Sequence, residues 1–164
     1  IHLGCTLLMA GLILFVQIVH YPLMARVGEE HFQGYEKEHT FRTGLLVVPL
    51  MTTELATALW LAADSGADEN RFVALVGMGL LGVIWLSTAL LQAPAHGRLS
   101  NGFDAFLHRK LVRTNWIRTW AWTLRAGIAV AMAITGARRA RPRWRPRSRS
   151  SRRPGQRARN RCAR

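Results

Sequence analysis

Four long apolar stretches alternate with polar segments along the first 137 residues of the chain. Each stretch is about 20 residues long, which is the length that an α-helix needs to cross a hydrocarbon core of about 30 Å. None shows the strict alternation of apolar and polar residues that is typical of a transmembrane strand. The pattern therefore predicts an all-α protein, a four-helix transmembrane bundle with spans near 1–21, 44–63, 72–92 and 115–136.

The polar segments between the predicted spans differ in length. We expect two long loops, over 20–43 and 92–115, and a tight acidic turn over 64–71; the first loop includes a short amphipathic helix around 29–41. With four spans, both long loops share one side of the membrane, and the turn and both termini share the other. The long loops carry seven basic residues and the turn carries only Arg71, so the positive-inside rule places the long loops in the cytoplasm.

Charge divides the chain into two parts. The whole sequence holds 23 Lys+Arg and 9 Asp+Glu, a net charge of +14, but residues 138–164 contain 13 Arg, no Lys and no acid. A soluble basic domain that binds nucleic acid is excluded, because the basic residues are not spread over a folded surface, and we expect no nucleic-acid partner. The sequence predicts a four-span domain, 1–137, followed by a disordered basic tail, 138–164.

The tail lies on the side opposite to the long loops and therefore contradicts the orientation that they favour. Two interpretations stay open: a native cytoplasmic segment that binds anionic surfaces, or a C-terminus that is not native, produced by a shifted reading frame in GC-rich DNA. The first residue is Ile rather than Met, which is typical of a fragment. Residues 1–19 run directly into His20-Tyr21-Pro22, which favours a true first span over a cleaved signal peptide.

One acid and one base lie at the same predicted depth inside the spans. Glu54 is ten residues after Gly44 and Arg125 is nine residues after Trp116, which places both about 14–15 Å into the membrane at a rise of 1.5 Å per residue. A lone charge in hydrocarbon is costly, so we expect an ion pair near the midplane. A purely structural role, in which the pair sets helix packing, stays open.

Other polar side chains gather at the long-loop end of the spans, where spacings of three or four residues place them on common helix faces. Together with the ion pair, the candidate pocket residues are Gln17, His20, Glu54, Gln92, His96, Asn115, Arg118 and Arg125. This asymmetry predicts a polar pocket that opens at the long-loop end and binds a small or amphipathic molecule. Interhelical hydrogen bonds or interfacial contact with water are the alternative roles of the same side chains.

A metal or haem centre needs a more complete set of ligands than the sequence offers. The spans contain no HExxH motif and no His pair four residues apart, and the single ExxH spacing, Glu36 to His39, lies in the predicted loop. Di-iron bundles need that motif twice, on helices that face each other. We therefore expect no metal and no other cofactor.

Five short motifs carry a resemblance to known proteins. They are Val16-Gln17-Ile18-Val19-His20-Tyr21-Pro22-Leu23, the spacing Phe32…Tyr35…His39…Arg42, Pro49-Leu50-Met51 followed by Glu54, Gln92-Ala93-Pro94-Ala95-His96, and Asn115-Trp116-Ile117-Arg118-Thr119. With these motifs residues 1–137 resemble a group of small bacterial four-helix integral membrane proteins of uncharacterised function. The last motif is also similar to one in the anthrone-oxygenase-like family, four-spanning proteins of which some members oxidise anthrones, reportedly without a metal. The resemblance implies a multi-pass protein of the bacterial inner membrane, and it assigns no catalytic role to a single residue.

Three functions stay open at this point. The first is a pocket protein that binds a small hydrophobic ligand within the lipid bilayer. The second is a cofactor-independent oxygenase of a hydrophobic phenolic substrate, in which His20 or His96 takes a proton and Arg118 or Arg125 holds the resulting oxyanion. The third is a structural subunit of a homo-oligomer or a larger membrane complex. The candidate residues facing one another would favour a pocket, whereas candidate residues facing lipid would favour a subunit.

Overall fold

The fold is built from helices alone. The computed structural model describes residues 1–64 and 69–140, and within these residues it contains four long helices and no strand. Helix α1 is α-helical over His2–Phe15, π-helical over Val16–His20 and α-helical again over Tyr21–Met24. Helix α2 spans Glu29–Asp64 and helix α4 spans Ala105–Ala140. Helix α3 is α-helical over Glu69–Ser87, π-helical over Thr88–Gln92 and α-helical again over Ala93–Leu99. The predicted all-α class and the four-helix bundle are confirmed.

The four helices form a square in which each helix packs on its neighbours in sequence. α1 contacts α2, α2 contacts α3, and α3 contacts α4, and α4 closes the square by packing along α1. The connections between α1 and α2 and between α3 and α4 are short, so consecutive helices run antiparallel, as in other up-and-down bundles. All four helices therefore contribute side chains to one central core.

The bundle core has two apolar layers along its axis. The central layer consists of Met9, Ala10, Ile13, Met51, Ile84, Ala121 and Trp122. The second layer lies nearer to the α1–α2 and α3–α4 connections and consists of Val16, Tyr21, Met24, Phe32, Ala95, Leu99 and Leu111. Polar side chains occupy the interior beside these layers, and they form the site described below.

The outer surface of the bundle is strongly apolar. Large hydrophobic side chains such as Leu8, Leu45, Trp60 and Leu90 are more than half exposed, which is unusual for a protein that is surrounded by water. Among the described residues three helices are long and apolar enough to cross a membrane: His2–Met24, Glu29–Asp64 and Arg71–Leu99. These helices and the apolar surface indicate a membrane protein.

Helix α4 is not among these three helices. Its apolar stretch includes Arg118 and Arg125, and both guanidinium groups lower its mean hydropathy. Both side chains are buried in the bundle, with 9% and 3% of their surface exposed. The polarity of α4 is therefore turned towards the other helices, while Leu124 and Ile134 remain exposed on its outer face.

The predicted long loops are wrong in their extent. Residues 29–43 belong to the helical segment Glu29–Asp64, and the connections are reduced to 25–28 and 100–104. The polar residues of 20–43 and 92–115 were expected to be in loops because they interrupt the apolar pattern. In the structure they extend the helices beyond the apolar stretch. The predicted turn, 64–71, lies mostly outside the described residues, as does the predicted tail, 138–164, from residue 141 onward.

Glycine and aspartate shape the connection between α3 and α4. Gly102 has a φ of 146°, a backbone conformation that strongly favours glycine. Asp104 then caps α4, because its carboxylate accepts hydrogen bonds from the backbone N–H groups of Phe106 and Leu107 at 2.8 and 2.9 Å. This tight connection holds the start of α4 against the end of α3.

The two π-helical turns share one local cause. Pro22 and Pro94 follow the π turns of α1 and α3 by two residues. A proline inside a helix donates no hydrogen bond, and its ring clashes with the carbonyl four residues earlier. The wider π turn accommodates the proline without ending the helix. The same turns carry Gln17 and Gln92 and direct both side chains into the bundle, where they are buried.

Candidate functional site

The eight predicted pocket residues lie inside the bundle, but they occupy two levels. Glu54 and Arg125 form a closed network at the level of the central core layer. The other six lie nearer to the α1–α2 and α3–α4 connections, around a cavity. Trp122 joins the levels, because its indole nitrogen bonds to Glu54 while its ring lines the cavity.

The predicted ion pair between Glu54 and Arg125 is confirmed. Oε1 of Glu54 lies 3.0 Å from both Nε and Nη2 of Arg125 and accepts a hydrogen bond from the hydroxyl of Thr6 at 2.8 Å. Oε2 accepts from the indole N–H of Trp122 at 3.0 Å, and Nη1 of Arg125 donates to the carbonyl of Gly77. Both carboxylate oxygens are therefore satisfied, and the network ties all four helices together.

A chain of hydrogen bonds positions Arg118 at the cavity. Nε of Arg118 donates to Oδ1 of Asn115 at 2.9 Å, and the Asn115 amide donates to Oε1 of Gln17 at 2.8 Å. Gln17 in turn donates to the carbonyl of Val112 at 3.2 Å. Nη1 of Arg118 donates to the hydroxyl of Thr88 at 3.1 Å. The guanidinium is therefore held from two sides by neutral acceptors, and it lies 5.7 Å above the ring of Trp122.

His96 is the centre of a second chain of polar contacts. Its Nδ1 lies 2.5 Å from Oε1 of Glu36, and its Nε2 lies 3.1 Å from the hydroxyl of Tyr21. Glu36 is fully buried, and its Oε2 has no hydrogen-bond partner among the described residues. The order of groups is carboxylate, imidazole and hydroxyl, in which the carboxylate orients the imidazole and supports proton transfer at its other nitrogen.

Three imidazole rings lie next to one another beside this chain, and two of them, His20 and His39, are stacked. The ring centroids of His20 and His39 are 4.2 Å apart, and those of His39 and His96 are 5.6 Å apart. The hydroxyl of Tyr35 lies 3.5 Å from Nε2 of His20, and the hydroxyl of Thr43 lies 3.1 Å from Nδ1 of His39. Across 1–64 and 69–140, no three His, Cys, Asp or Glu side chains are placed to hold a metal ion.

A cavity of about 330 Å³ lies between the four helices at this level. Its floor and walls are mostly apolar and include Met9, Leu12, Ile13, Val16, Val47 and Trp122, while its polar lining includes Tyr21, His39, Thr43, Thr88, Gln92, His96 and Arg118. The exposed lining residues are Thr40 on α2 and Ala93 and Gly97 on α3. The cavity therefore opens between α2 and α3.

Six of the eight predicted residues either line this cavity or are linked to a residue that lines it. Gln92, His96 and Arg118 line it. Gln17 and Asn115 support Arg118 from behind, and His20 stacks on His39, which also lines the cavity. Glu54 and Arg125 lie deeper and bond to each other instead, so they are not part of the cavity wall.

Sequence reasoning missed Glu36 and Tyr21 as members of the site. Glu36 was considered only for its spacing to His39, as part of a metal site, because its short helix was expected to lie in a loop outside the spans. The predicted helix around 29–41 already places positions 36 and 39 on one face, but the pattern gave no signal that this helix continues into the second span and brings Glu36 into the bundle. Tyr21 follows His20 directly in the motif that runs from Val16 to Leu23, but nothing in its spacing indicated its contact with His96.

No family model matches the chain, and neither a curated protein nor a solved structure is similar enough to count as a match.

Proposed function

We propose that the chain is a multi-pass protein of the bacterial inner membrane with four membrane-spanning helices. α4 packs along α1 and α3, and both of those helices are long and apolar enough to cross a membrane. A helix that closes a square between two crossing helices crosses with them. Its two arginines do not oppose this arrangement, because Arg125 is paired with Glu54 and Arg118 is held by polar groups within the bundle.

Cysteine labelling on intact cells tests the fourth crossing. In a background with Cys5→Ser and Cys162→Ser, we expect Asp64→Cys and Gly136→Cys to react alike with a membrane-impermeant maleimide, and Asn101→Cys to behave in the opposite way. The reason is that α4 carries the chain from the side of Asn101 back to the side of Asp64. If Gly136→Cys and Asn101→Cys react alike, α4 does not cross.

The function that the geometry supports best is the binding of a small or amphipathic molecule in the cavity between the four helices. The observation that carries this proposal is the cavity itself: about 330 Å³, with an apolar floor and several polar groups at one end. Small-molecule sites are concave, largely apolar, and about 300–1,000 Å³ in volume, with a few polar groups that set orientation. The candidate residues also face one another rather than lipid, which favours a pocket over a purely structural subunit.

Filling the cavity tests this function. Gly97 lines the cavity, and a Cβ added there meets no atom within 4 Å. We therefore expect Gly97→Leu to fold normally and to occupy the opening. Gly79→Leu is the matched control, because Gly79 lies on the same helix, is exposed, does not line the cavity, and also has no atom within 4 Å of an added Cβ.

The measurement is mass spectrometry of solvent extracts from the purified wild type and both variants. We expect a molecule that is present in near-stoichiometric amount with the wild type and with Gly79→Leu, and is lost or strongly reduced with Gly97→Leu. Identical extracts from all three proteins would contradict the proposed function.

A second candidate function is the oxygenation of a hydrophobic phenolic substrate by molecular oxygen, with acid–base catalysis by the protein, as the similarity to the anthrone-oxygenase-like family implies. The observation that favours it is the chain from Glu36 through His96 to Tyr21. In this alternative Nε2 of His96 takes a proton from the substrate, and Arg118 stabilises the oxyanion that remains. The same extracts separate the two functions: a phenolic compound or its oxidised product favours catalysis, and a non-aromatic amphiphile favours binding.

A further inference from the structure

Arg118 is a buried cation that has no carboxylate partner among the described residues. Its side chain is 9% exposed, and its bonds go to the amide oxygen of Asn115 and the hydroxyl of Thr88, both neutral. Among the described residues, Arg42 forms an ion pair with Glu38 and Arg125 forms one with Glu54, while Glu36 contacts His96. At the deeper level, the charge of Arg125 is neutralised by an acid on a neighbouring helix.

An unpaired charge at this position requires a compensating group. Charged side chains within spanning helices are costly and persist where they pair or act on a ligand. The scaffold around Arg118 orients the guanidinium without neutralising it, because Asn115 is itself fixed by Gln17. The side chain also lines the cavity, so the compensating charge would come from the occupant. Guanidinium groups bind carboxylates and other oxyanions through strong, charge-assisted hydrogen bonds.

The remainder of the cavity lining matches an anion with an apolar body. No Asp or Glu is among the described residues that line the cavity, and the carboxylate of Glu36 contacts the ring of His96 rather than the cavity itself. Met9, Leu12, Ile13 and Val47 provide an apolar wall. With about 330 Å³, the cavity lies at the small end of the range for ligand sites, which favours a single chain or ring over a phospholipid with two acyl chains.

The opening of the cavity indicates the route of access. It lies between Thr40 on α2 and Ala93 on α3, and the neighbouring Phe41 and Leu90 are 68% and 69% exposed on the outer surface. Side chains of this kind face lipid in a membrane protein. The opening therefore lies at the end of the apolar stretches, where a ligand that is dissolved in the bilayer can enter it laterally.

We propose that the occupant is a single-chain amphipathic anion, whose oxyanion binds Arg118 and whose apolar chain lies along α1 and α2. This inference rests on the proposed binding function and specifies the chemical class of the ligand. The headgroup that the site selects is a carboxylate or a group of similar charge and geometry. The lateral opening implies that the ligand partitions into the membrane before it binds.

Quenching of tryptophan fluorescence by brominated probes tests the proposal in phosphatidylcholine nanodiscs. The probes are ω-bromoundecanoic acid, as the ionised carboxylate, and ω-bromoundecanol, which has the same chain without charge. Trp122 lines the cavity and reports on a bromine atom bound there. Quenching of the Gly97→Leu variant measures the background from probe that is dissolved in the bilayer and reaches the lipid-facing tryptophans.

We expect the carboxylate to give saturable quenching above this background. The affinity for the alcohol should be lower by a factor of about ten or more, because a hydrogen bond to a charged group contributes at least that factor to an affinity. Arg118→Met should reduce the affinity for the carboxylate to that for the alcohol, and Arg118→Lys should retain part of the difference. If Arg118→Met fails to fold, the affinities of the wild type for the two probes still show whether the site selects an anion.

The outcomes separate the two proposals. Equal affinity for both probes would overturn the selection of an anion and leave the binding function intact. No saturable quenching by either probe would overturn both. If Arg118→Met lowers the affinity for both probes equally, Arg118 only maintains the shape of the cavity. Loss of carboxylate binding when phosphatidylglycerol is added to the nanodiscs would show that a phospholipid headgroup supplies the anion, and that the single-chain assignment is wrong.

Discussion

Replacing Glu54 by Gln, or Arg125 by Gln, is expected to destabilise the bundle by about 3–5 kcal/mol, because each change leaves the other member of a buried ion pair without its partner. The carboxylate of Glu54 is fully buried and accepts hydrogen bonds from Thr6, Trp122 and Arg125. Gln at position 54 removes the negative charge while the guanidinium remains 3% exposed. The measurement is reversible unfolding of the purified protein in detergent.

The double replacement, Glu54→Gln with Arg125→Gln, should recover much of the loss, because neither charge then remains buried alone. Strictly additive losses would contradict the proposed interaction. The exposed pair of Glu38 and Arg42 is a matched control: its atoms approach to 2.5 Å, but the side chains are 61% and 74% exposed. We expect Glu38→Gln to cost less than about 1 kcal/mol, as is usual for surface pairs.

Trp122→Ala is expected to cost about 3–5 kcal/mol in the same assay, as large truncations in a packed core do. Trp122 is fully buried in the central layer. It also donates to Oε2 of Glu54, and this contact has its own effect. Trp122→Phe retains most of the packing but leaves a buried carboxylate oxygen without its donor, so we expect an intermediate loss of about 1–3 kcal/mol.

Trp120 provides the control for this comparison. It lies two residues earlier on α4, but its side chain is 61% exposed on the outer surface, so Trp120→Ala should change the unfolding free energy little. An equal cost for Trp122→Phe and Trp122→Ala would show that the indole N–H, rather than packing, determines stability. No cost for either variant would contradict the position of Trp122 in the core.

The features that follow from simple repeat distances could be predicted from the sequence. The hydropathy pattern predicts four helices, because an apolar stretch of about 20 residues with so few polar side chains has few other structures available. The pairing of Glu54 with Arg125 followed from counting residues at 1.5 Å each from the ends of two apolar stretches. Both arguments need only the helix repeat and the cost of a charge in hydrocarbon.

The features that depend on three-dimensional packing could not be predicted. The apolar pattern ends near Gly44, but α2 begins at Glu29, because polar residues also continue a helix where it leaves the membrane. The short helix that carries Glu36 was for this reason expected to be separate from the second span, and the contact of Glu36 with His96, sixty residues away, was missed. The separation of the candidate residues into a deep ion pair and a cavity also depends on rotamers that spacing does not determine.

The buried pair also bears on how the chain enters the membrane during synthesis. α2, which carries Glu54, is made before α4, which carries Arg125, because a chain is synthesised from its N-terminus. Insertion of a helix with a central arginine is opposed by about 2.5–3.5 kcal/mol, and α4 is the least apolar of the four helices. With α4 as the fourth crossing that we propose, Glu54 is the group that offsets this cost, and we expect the insertion of α4 to depend on the helices that precede it. We therefore expect the buried pair to set the order of insertion, with Glu54 in the bilayer before Arg125 enters it.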